Sequence, residues 1–595
     1  MPRSQTRDDT RMKDRLIYLP LGGAGEVGMN AYVYGYGPED RERLILVDLG
    51  VTFGDMESSP GIELILPDIA WLTERADRLE AIFVTHAHED HIGALAHLWP
   101  RLKAPIYARR FTATIGRLKF DEFGHPRDAF HVVEPRPHVV EAGPFRVQFQ
   151  PVSHSIPESA ALVIDTPAGR IVHSGDFKLD PSPLVGEAWD ASAFAAIAAE
   201  RPVKALMCDS TNVFSPHPGR SESTLKAPLT EFITAATGMV VATTFASNVA
   251  RLKTLAEAGV AAGRSVCLLG RAMQRMVKAA EDAGVLRDFP RTIPSEAAAE
   301  VPRQNLMLLV TGSQGERRAA SAQLSRGRYL GLELKEGDTF LFSSRTIPGN
   351  EKPVLSIVNA FSEMGVEVVD ESGGRYHVSG HANRPDLQTV HGLLQPAILI
   401  PMHGEHRHLR EHVRLGRAAG ITSEIATNGM MIDLSGDAPE VAEYIETGRL
   451  YLDGTVLIGA RDGIVRDRIR MALNGHALAT VILDENDAPM GEAWVELIGL
   501  PETGRSRAPL VDVLERGLSA FLDTAGAKTL RDDDKLEEGL RRVVRQLAME
   551  EIGKKPEVTV VVSRLTEGEA RRDGDGGAAN RHPQPPRCMP PPEKA

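Results

Sequence analysis

The sequence predicts a mixed α/β fold in three parts, and three observations carry that reading. Short apolar runs alternate with turns from Ile17 to about Thr211, and longer helical segments interleave with strands from about Leu225. After Gly374 the first style resumes, before a smaller unit begins near Asp467. At 595 residues the chain exceeds what one hydrophobic core usually serves, and 42% apolar with 25% charged residues is ordinary for globular protein.

In the first part RLILVDLG, AIFVTHAH, ALVIDT, RIVHSGD and KALMCDS read as strands of a layered domain. In the second, VARLKTLAEAGVAAG, AMQRMVKAAEDAG and VLSIVNAFSEMG have helical spacing and lie among the strands MVVATTF, SVCLLG, LMLLVTG, DTFLFSS and VEVVD. Strand-helix alternation with right-handed crossovers implies a parallel sheet. The strand AILIPM then leads to His403. If His403 belongs with the early histidines, the helical unit is an insertion, so residues 1–215 and 376–455 form one domain and 216–375 another. A linker is expected over 456–466 and a small α/β domain over 467–565, built on RMALNGHALATVILD, KLEEGLRRVVRQLAMEEIG and PEVTVVVSRL. Residues 566–595 are Gly, Pro and charge with almost nothing apolar, which predicts a disordered tail. LGGAGEVG resembles a nucleotide-binding loop, but it follows no buried strand of convincing length and that reading is rejected.

No apolar run approaches the ~18 residues that span a bilayer, and the N-terminus is charged without an apolar stretch. A cytoplasmic protein without membrane contact is expected. Cys208, Cys267 and Cys588 are too few and scattered for a disulfide framework or a thiolate zinc site, so any metal must be held by His and carboxylates. A net charge of −13 argues against a polyanionic partner. Between Asn248 and Tyr329, however, 13 basic residues face 7 acidic ones, a local +6 that permits nucleic acid.

The strongest chemical signal is THAHEDHIG, where a strand delivers His86, His88, Asp90 and His91 onto one loop. Alternating positions at a strand end splay toward two neighbouring sites, and this donor set suits divalent zinc or manganese. Two cations ~3.5–4 Å apart need an anion between them. Strand ends supply His154 in PVSHSIPES, Asp176 in VHSGD and His403 in IPMHGE. Paired divalent cations lower the pKa of a water between them, so hydrolysis is the expected chemistry. His97, His125, His131, His138, His173, His391, His406 and His408 carry no such spacing and read as surface or structural imidazoles.

His-x-His-x-Asp-His followed by His, Asp and His is similar to the ligand order of the metallo-β-lactamase hydrolases. The resemblance implies an αββα sandwich with two divalent ions per subunit, Zn2+ first and Mn2+ or Mg2+ as alternatives. His86, His88 and His154 would hold one ion, Asp90, His91 and His403 the other, with Asp176 bridging and Asp48 orienting ligands by hydrogen bonding. The roughly 160 residues between DST at Asp209 and HVSGHA at His377 resemble the inserted β-CASP domain of nucleases, whose motifs match Asp209, His381 and His403. On that likeness Asp90, Asp209 and His381 are catalytic, with His381 a general acid for the departing 3′ oxygen or a stabiliser of phosphate charge.

Within this group LGGAGEVGMN, THAHEDHIGAL, HSGDFKLD, DSTN, TTFASN, TGSQGE, RTIPGNE, HVSGHA, Asp386-Leu387 and PMHGE run in the order of the bacterial ribonuclease J family, over about residues 15 to 455. The resemblance implies RNA as substrate, in RNA processing and decay. Phe245, Ala246 and Ser247, with His377, Val378, Ser379, Gly380 and His381, would contact the RNA backbone and a terminal 5′ phosphate, giving 5′-to-3′ exonuclease and also endonuclease action. It implies a structural cation, Ca2+, near Glu63 and Asp453, a homodimer or homotetramer through the third domain, and an RNA helicase or other decay factors as partners. Rival readings are a DNA-directed β-CASP nuclease, a small-molecule ester or lactone hydrolase, and a non-catalytic RNA-binding scaffold. The insertion counts against the ester hydrolase and the complete ligand set against the scaffold.

Overall fold

In the computed structural model, residues 14–347, 349–370 and 374–565 are described, and the tail predicted over 566–595 lies outside them. The chain divides into two compact units, one of residues up to 56 with 61–462, the other of 57–60 with the chain from 463 onward.

The larger unit is built on two sheets. One runs in the order Glu440–Tyr444, Met430–Asp433, Asp14–Gly22, Ala31–Pro38, Arg43–Val47, Leu79–Val84, Ile106–Ala108 and Phe130–Val132. The other runs Val140–Ala142, Phe145–Pro151, Ala160–Thr166, Gly169–His173, Val203–Asp209, Ile398–Met402 and Thr422–Ser423. Central strands such as RLILV read as continuous apolar runs because both faces are covered. Tyr18, Ile45 and Phe83 of the first sheet meet Phe149, Ile164, Met207 and Ile400 of the second in a core between the sheets. Leu46, Ile82 and Val84 face outward onto Leu95, Leu98 and Phe120 of the helices Leu95–Leu102 and Arg110–Phe123. Val163 and Leu206 pack on Phe194, Leu387 and Leu394 of helices on the far side. The architecture is therefore an αββα sandwich.

The insertion leaves and returns through adjacent strands, since Asp209 is in register with Met402 across a parallel pair. A long excursion between neighbouring strands leaves the sandwich hydrogen bonding whole. Within it five strands, Ser265–Leu269, Leu306–Val310, Val240–Thr243, Thr339–Phe342 and Glu367–Val369, form a wholly parallel sheet. Alternate residues of each strand feed cores on its two faces, Val240, Leu268 and Leu309 on one and Val241, Leu269 and Phe342 on the other. Ala87, between His86 and His88, packs in the first of these cores, so the metal-motif loop is wedged against the insertion.

Two sequence expectations change here. The glycine-rich loop does follow a long and largely buried strand, Asp14–Gly22. It is still no nucleotide fingerprint, because it continues through Ala24–Gly25 into the strand Ala31–Pro38 and not into a helix. The segment expected as a linker contains the strand Val456–Gly459, antiparallel to Arg449–Asp453, and the helix Ile464–Asn474 starts ahead of position 467. VLIG is too short an apolar run to announce a strand without its partner.

The smaller unit has the sheet order Trp494–Ile498, His476–Leu483, Glu557–Arg564. Its core joins Ala477, Ala479 and Val481 to Leu514 and Leu518 of the helix Leu510–Thr524 and to Leu536, Leu540 and Val544 of the helix Asp533–Ile552. The four-residue apolar spacing of KLEEGLRRVV predicts that buried stripe. Asp532 accepts from the Lys535 N–H to start the second helix, and Gly553 at φ +68° ends it.

Candidate metal centre

Strand ends from both sheets converge on one cluster. His86 follows Leu79–Val84 and is fully buried. Its Nε2 lies 3.1 Å from His88 Nδ1, which lies 3.2 Å from Nε2 of His154. His88 directly precedes the short helix Glu89–Ile92, which carries Asp90 and His91. His91 Nε2 lies 3.2 Å from Asp176 Oδ2 and 3.5 Å from Asp90 Oδ2, and His403 Nε2 lies 3.1 Å from the same Asp90 oxygen. Asp176 Oδ2 is 3.6 Å from His403 Nε2 and 3.8 Å from Nε2 of both His86 and His154. One carboxylate oxygen thus sits within reach of both trios, while Asp176 Oδ1 is buried without a hydrogen-bond partner.

These contacts have the spacing of donor atoms around shared ions. His154 Nδ1 donates to the Gly380 carbonyl at 2.6 Å, which leaves its Nε2 as a lone pair aimed into the cluster, while His91 Nδ1 donates to Asp48 at 2.7 Å and its Nε2 faces the Asp176 carboxylate. Two nitrogens ~2.0–2.1 Å from a common tetrahedral ion stand about 3.3 Å apart, close to the separations seen. Burial, reinforced by neighbouring imidazoles, pushes the proton affinities of His86 and His154 well down, and burial takes His88 to about 4. These three rings are neutral donors ready for a cation. Burial acts the same way on His91 and His403, but Asp176 and the other carboxylates overcome it and hold both well above the usual histidine value. A proton there answers the same negative charge that a metal would answer. The buried His/Asp cluster fits divalent metal.

Supporting groups reach the cluster from elsewhere in the chain. Asp48, at φ +61°, accepts from Thr85 N–H at 2.8 Å and from Thr85 Oγ1 at 2.8 Å while holding His91. Thr211 Oγ1 is 2.7 Å from His403 Nδ1, and His403 itself stands at φ +51° with its N–H on the Gly23 carbonyl. Asn30 Nδ2 donates to the Asp90 carbonyl at 2.9 Å and reaches 3.0 Å from His91 Nε2. Gly50 is required by proximity, since a Cβ there would lie 1.7 Å from the Asp90 carbonyl oxygen. Asn30, Thr85 and Thr211 carry no sequence signal beyond adjacency to the motifs.

On the side of the insertion, Asp209 Oδ2 lies 2.8 Å from His381 Nδ1, and His381 is 4.0 Å from Asp176. Burial disfavours charge on His381, but Asp209 raises its proton affinity above the ordinary value. The segment His377–His381 is pinned by Asn212, whose Nδ2 donates to Ser379 Oγ at 2.7 Å and to the His381 carbonyl at 3.3 Å. The buried Val378 carbonyl accepts from Arg251 at 3.5 Å. Phe245, Ala246 and Ser247 are half-buried in the turn before the helix Val249–Ala261, where Asn248 accepts from Arg251 N–H. Of the basic residues counted in the insertion, Arg251 and Arg264 are buried, the latter on backbone carbonyls, so the count overstates the positive surface. Glu63 accepts from the Gly454 N–H beside Asp453. Among the described residues no third His, Cys, Asp or Glu joins that pair in a ligand-sized cluster.

Comparison with known proteins agrees with this arrangement. Residues 24–226 match the metallo-beta-lactamase superfamily, 237–361 the ribonuclease J beta-CASP domain, 374–426 the Zn-dependent metallo-hydrolase RNA specificity domain and 463–565 the ribonuclease J C-terminal domain. The chain is 40% identical to ribonuclease J of Sinorhizobium meliloti, over 95% of its length and 100% of that protein's. Against ribonuclease J of Mycolicibacterium smegmatis it is 34% identical, covering 91% of this chain and 96% of the other. The Mycobacterium tuberculosis H37Rv protein of the same name is 32% identical with the same coverage. Full-length similarity, the domain series and the clustered ligands agree, and the chain belongs to the ribonuclease J family.

Proposed function

We propose that this metal-dependent ribonuclease degrades RNA from a 5′ monophosphate in the 5′-to-3′ direction, releasing mononucleotides, and also cuts internally, in RNA processing and decay in the cytoplasm. The observation that carries the reading is the Asp209–His381 pair, set 4.0 Å from the carboxylate at the centre of the ligand cluster.

His86, His88 and His154 would hold one divalent ion, Zn2+ first, and Asp90, His91 and His403 a second, with Asp176 within reach of both sets. Bound there, the ions would supply a nucleophilic water and polarise the phosphodiester. Asp48, Thr85 and Thr211 orient the imidazoles. Asp209 fixes His381 by its Nδ1–H and leaves Nε2–H to protonate the departing 3′ oxygen, a role suited to a ring whose proton affinity is raised. Phe245 to Ser247 and His377 to Ser379 line the proposed cradle for the backbone and the terminal phosphate.

Self-association is proposed through the smaller unit. The face of its sheet turned from the helices exposes Ile482, Trp494, Ile498 and Val561, an apolar surface that isolated domains seldom leave in water. A structural Ca2+ at Glu63 and Asp453, and decay partners such as a helicase, rest on family likeness alone. Among the described residues no helix is long and apolar enough to cross a membrane.

The test is a time course on 5′-monophosphorylated, 3′-labelled single-stranded RNA with metal-replete wild type and His86→Ala. Mononucleotides released from the 5′ end by the wild type alone are expected. Intact RNA with cleaved DNA or lactone would leave the fold standing and overturn the substrate.

A further inference from the structure

Arg251 is fully buried in the first turn of the helix Val249–Ala261, and every donor of its guanidinium is engaged. Nε and Nη2 donate to the two carboxylate oxygens of buried Glu222 at 2.5 and 2.9 Å. Nη2 also reaches the Val378 carbonyl at 3.5 Å, and Nη1 donates to the Ser343 carbonyl at 2.6 Å and to Ser343 Oγ at 3.0 Å. The same Nη1 stands 3.2 Å from His377 Nδ1. Its backbone N–H closes the turn that holds Phe245 to Ser247, by donating to Asn248. One residue therefore ties together both segments proposed to grip the substrate.

Arg251 has no exposed atom to offer an anion, so it acts through what it holds. A guanidinium is a donor only, and a donor facing Nδ1 is matched only by a ring with its lone pair at that atom. The Ser343 carbonyl also favours a proton on this ring, but the hydrogen bond formed at Nδ1 is the one from Arg251 Nη1. Burial, with Arg251 next, brings His377 down to about 3, so the ring is neutral, and the donor facing Nδ1 leaves Nε2 to carry its one proton. The ring is only partly covered, unlike Arg251.

We propose that Arg251 is a positioning residue that makes His377 Nδ1 an acceptor and thereby fixes Nε2–H as a donor to the anionic 5′ end of the RNA. The inference rests on the placement of that phosphate beside His377 proposed above. Glu222 supports it by neutralising Arg251, so that the cation can stay dry beside the pocket without a substrate.

The experiment is a double-mutant cycle on the ratio of kcat/KM for 5′-monophosphorylated over 5′-hydroxyl RNA of one sequence, using full-length protein of verified metal content. Arg251→Lys keeps the charge and loses the planar fork, and is expected to lower the ratio about tenfold, the scale of one hydrogen bond to a charged group. His377→Ala lowers it as well, and the double variant falls no further than His377→Ala alone. Additive losses would overturn the inference while sparing the placement of the phosphate. A wild type indifferent to the 5′ phosphate would sink that placement and the inference with it. Should Arg251→Lys fail to fold, the wild type still decides: two-bond 1H–15N spectra, with His377 assigned by its loss in His377→Gln, are expected to show protonated Nε2 and bare Nδ1. A ring protonated at Nδ1 overturns the proposal.

Discussion

Two groups of buried histidines meet the end of the strand Val203–Asp209 from opposite sides, and they are satisfied in opposite ways. Successive residues of extended chain face alternately. Asp209 and Thr211 look toward His381 and His403, while Cys208 and Ser210 look toward His391 and His412. On the first side carboxylates stand among imidazoles, and Asp176 Oδ1 is buried without a hydrogen-bond partner. On the second there is no carboxylate. His391 and His412 lie head to head with Nε2 atoms 3.1 Å apart, one N–H donating to the other ring, and His412 Nδ1 meets Ser210 Oγ at 2.9 Å. Burial alone takes His391 down to about 4. Buried imidazoles gather in both, so an enclosed carboxylate, and not imidazoles alone, is what sets the proposed metal site apart.

The comparison is broken most easily at its centre. Asp176→Asn should cost the cluster its shared anion, with metal content falling and RNA hydrolysis dropping on the order of 10³-fold or more. Metal analysis paired with the RNA assay checks this, and full metal content in the variant would refute the role given to the carboxylate. Asp48→Asn keeps every proposed ligand but weakens the acceptor for His91 Nδ1. Metal affinity should fall roughly 10- to 100-fold in a chelator competition. Gly380→Ala places a Cβ 3.0 Å from His154 Cε1 and 2.9 Å from Ser155 Oγ. A small tilt of that ring should lower the rate about tenfold while metal content is kept.

The smallest effect is expected on the other side of the strand. His391→Leu should leave metal content and rate as they are, and at pH 7.5 cost about 1–2 kcal/mol for the unpaired His412. The folded-state value of His391, about 4, lies below the ~6.5 of an unfolded histidine, so the unfolded chain binds the extra proton. Stability is therefore lost as pH falls from about 6.5 toward 4, by up to roughly 3 kcal/mol for this ring. Urea unfolding at pH 7.5 and pH 5 should show a shallower acid loss in the variant. If the variant instead sheds one equivalent of metal, the second group is a cation site and the contrast drawn here fails.

Much of the molecule was legible in the order of residues because its signals are local. THAHEDH puts four donors on one strand end and the helix after it, and VVATTF, LMLLVTG and DTFLFSS are apolar enough to announce buried parallel strands without partners. The segment expected as a linker marks the limit: the boundary between the two units falls inside it, but Val456–Gly459 is a strand only because Arg449–Asp453 lies beside it. The glycine-rich loop shows the same limit, since what it serves is His403, some 380 residues away, whose N–H rests on the Gly23 carbonyl.

The sequence by itself announced a mixed α/β fold, an inserted unit and the proposed donor residues, since hydrophobic period and ligand spacing act within a few residues, while the αββα frame followed from the family resemblance. Only the tertiary structure decided that Asp176 lies within reach of both proposed trios, that Asn30 and Thr211 reach His91 and His403, and that Arg251 faces inward. A count of charges cannot separate a buried guanidinium from an exposed one. That depends on whether distant chain brings a carboxylate such as Glu222 to meet it.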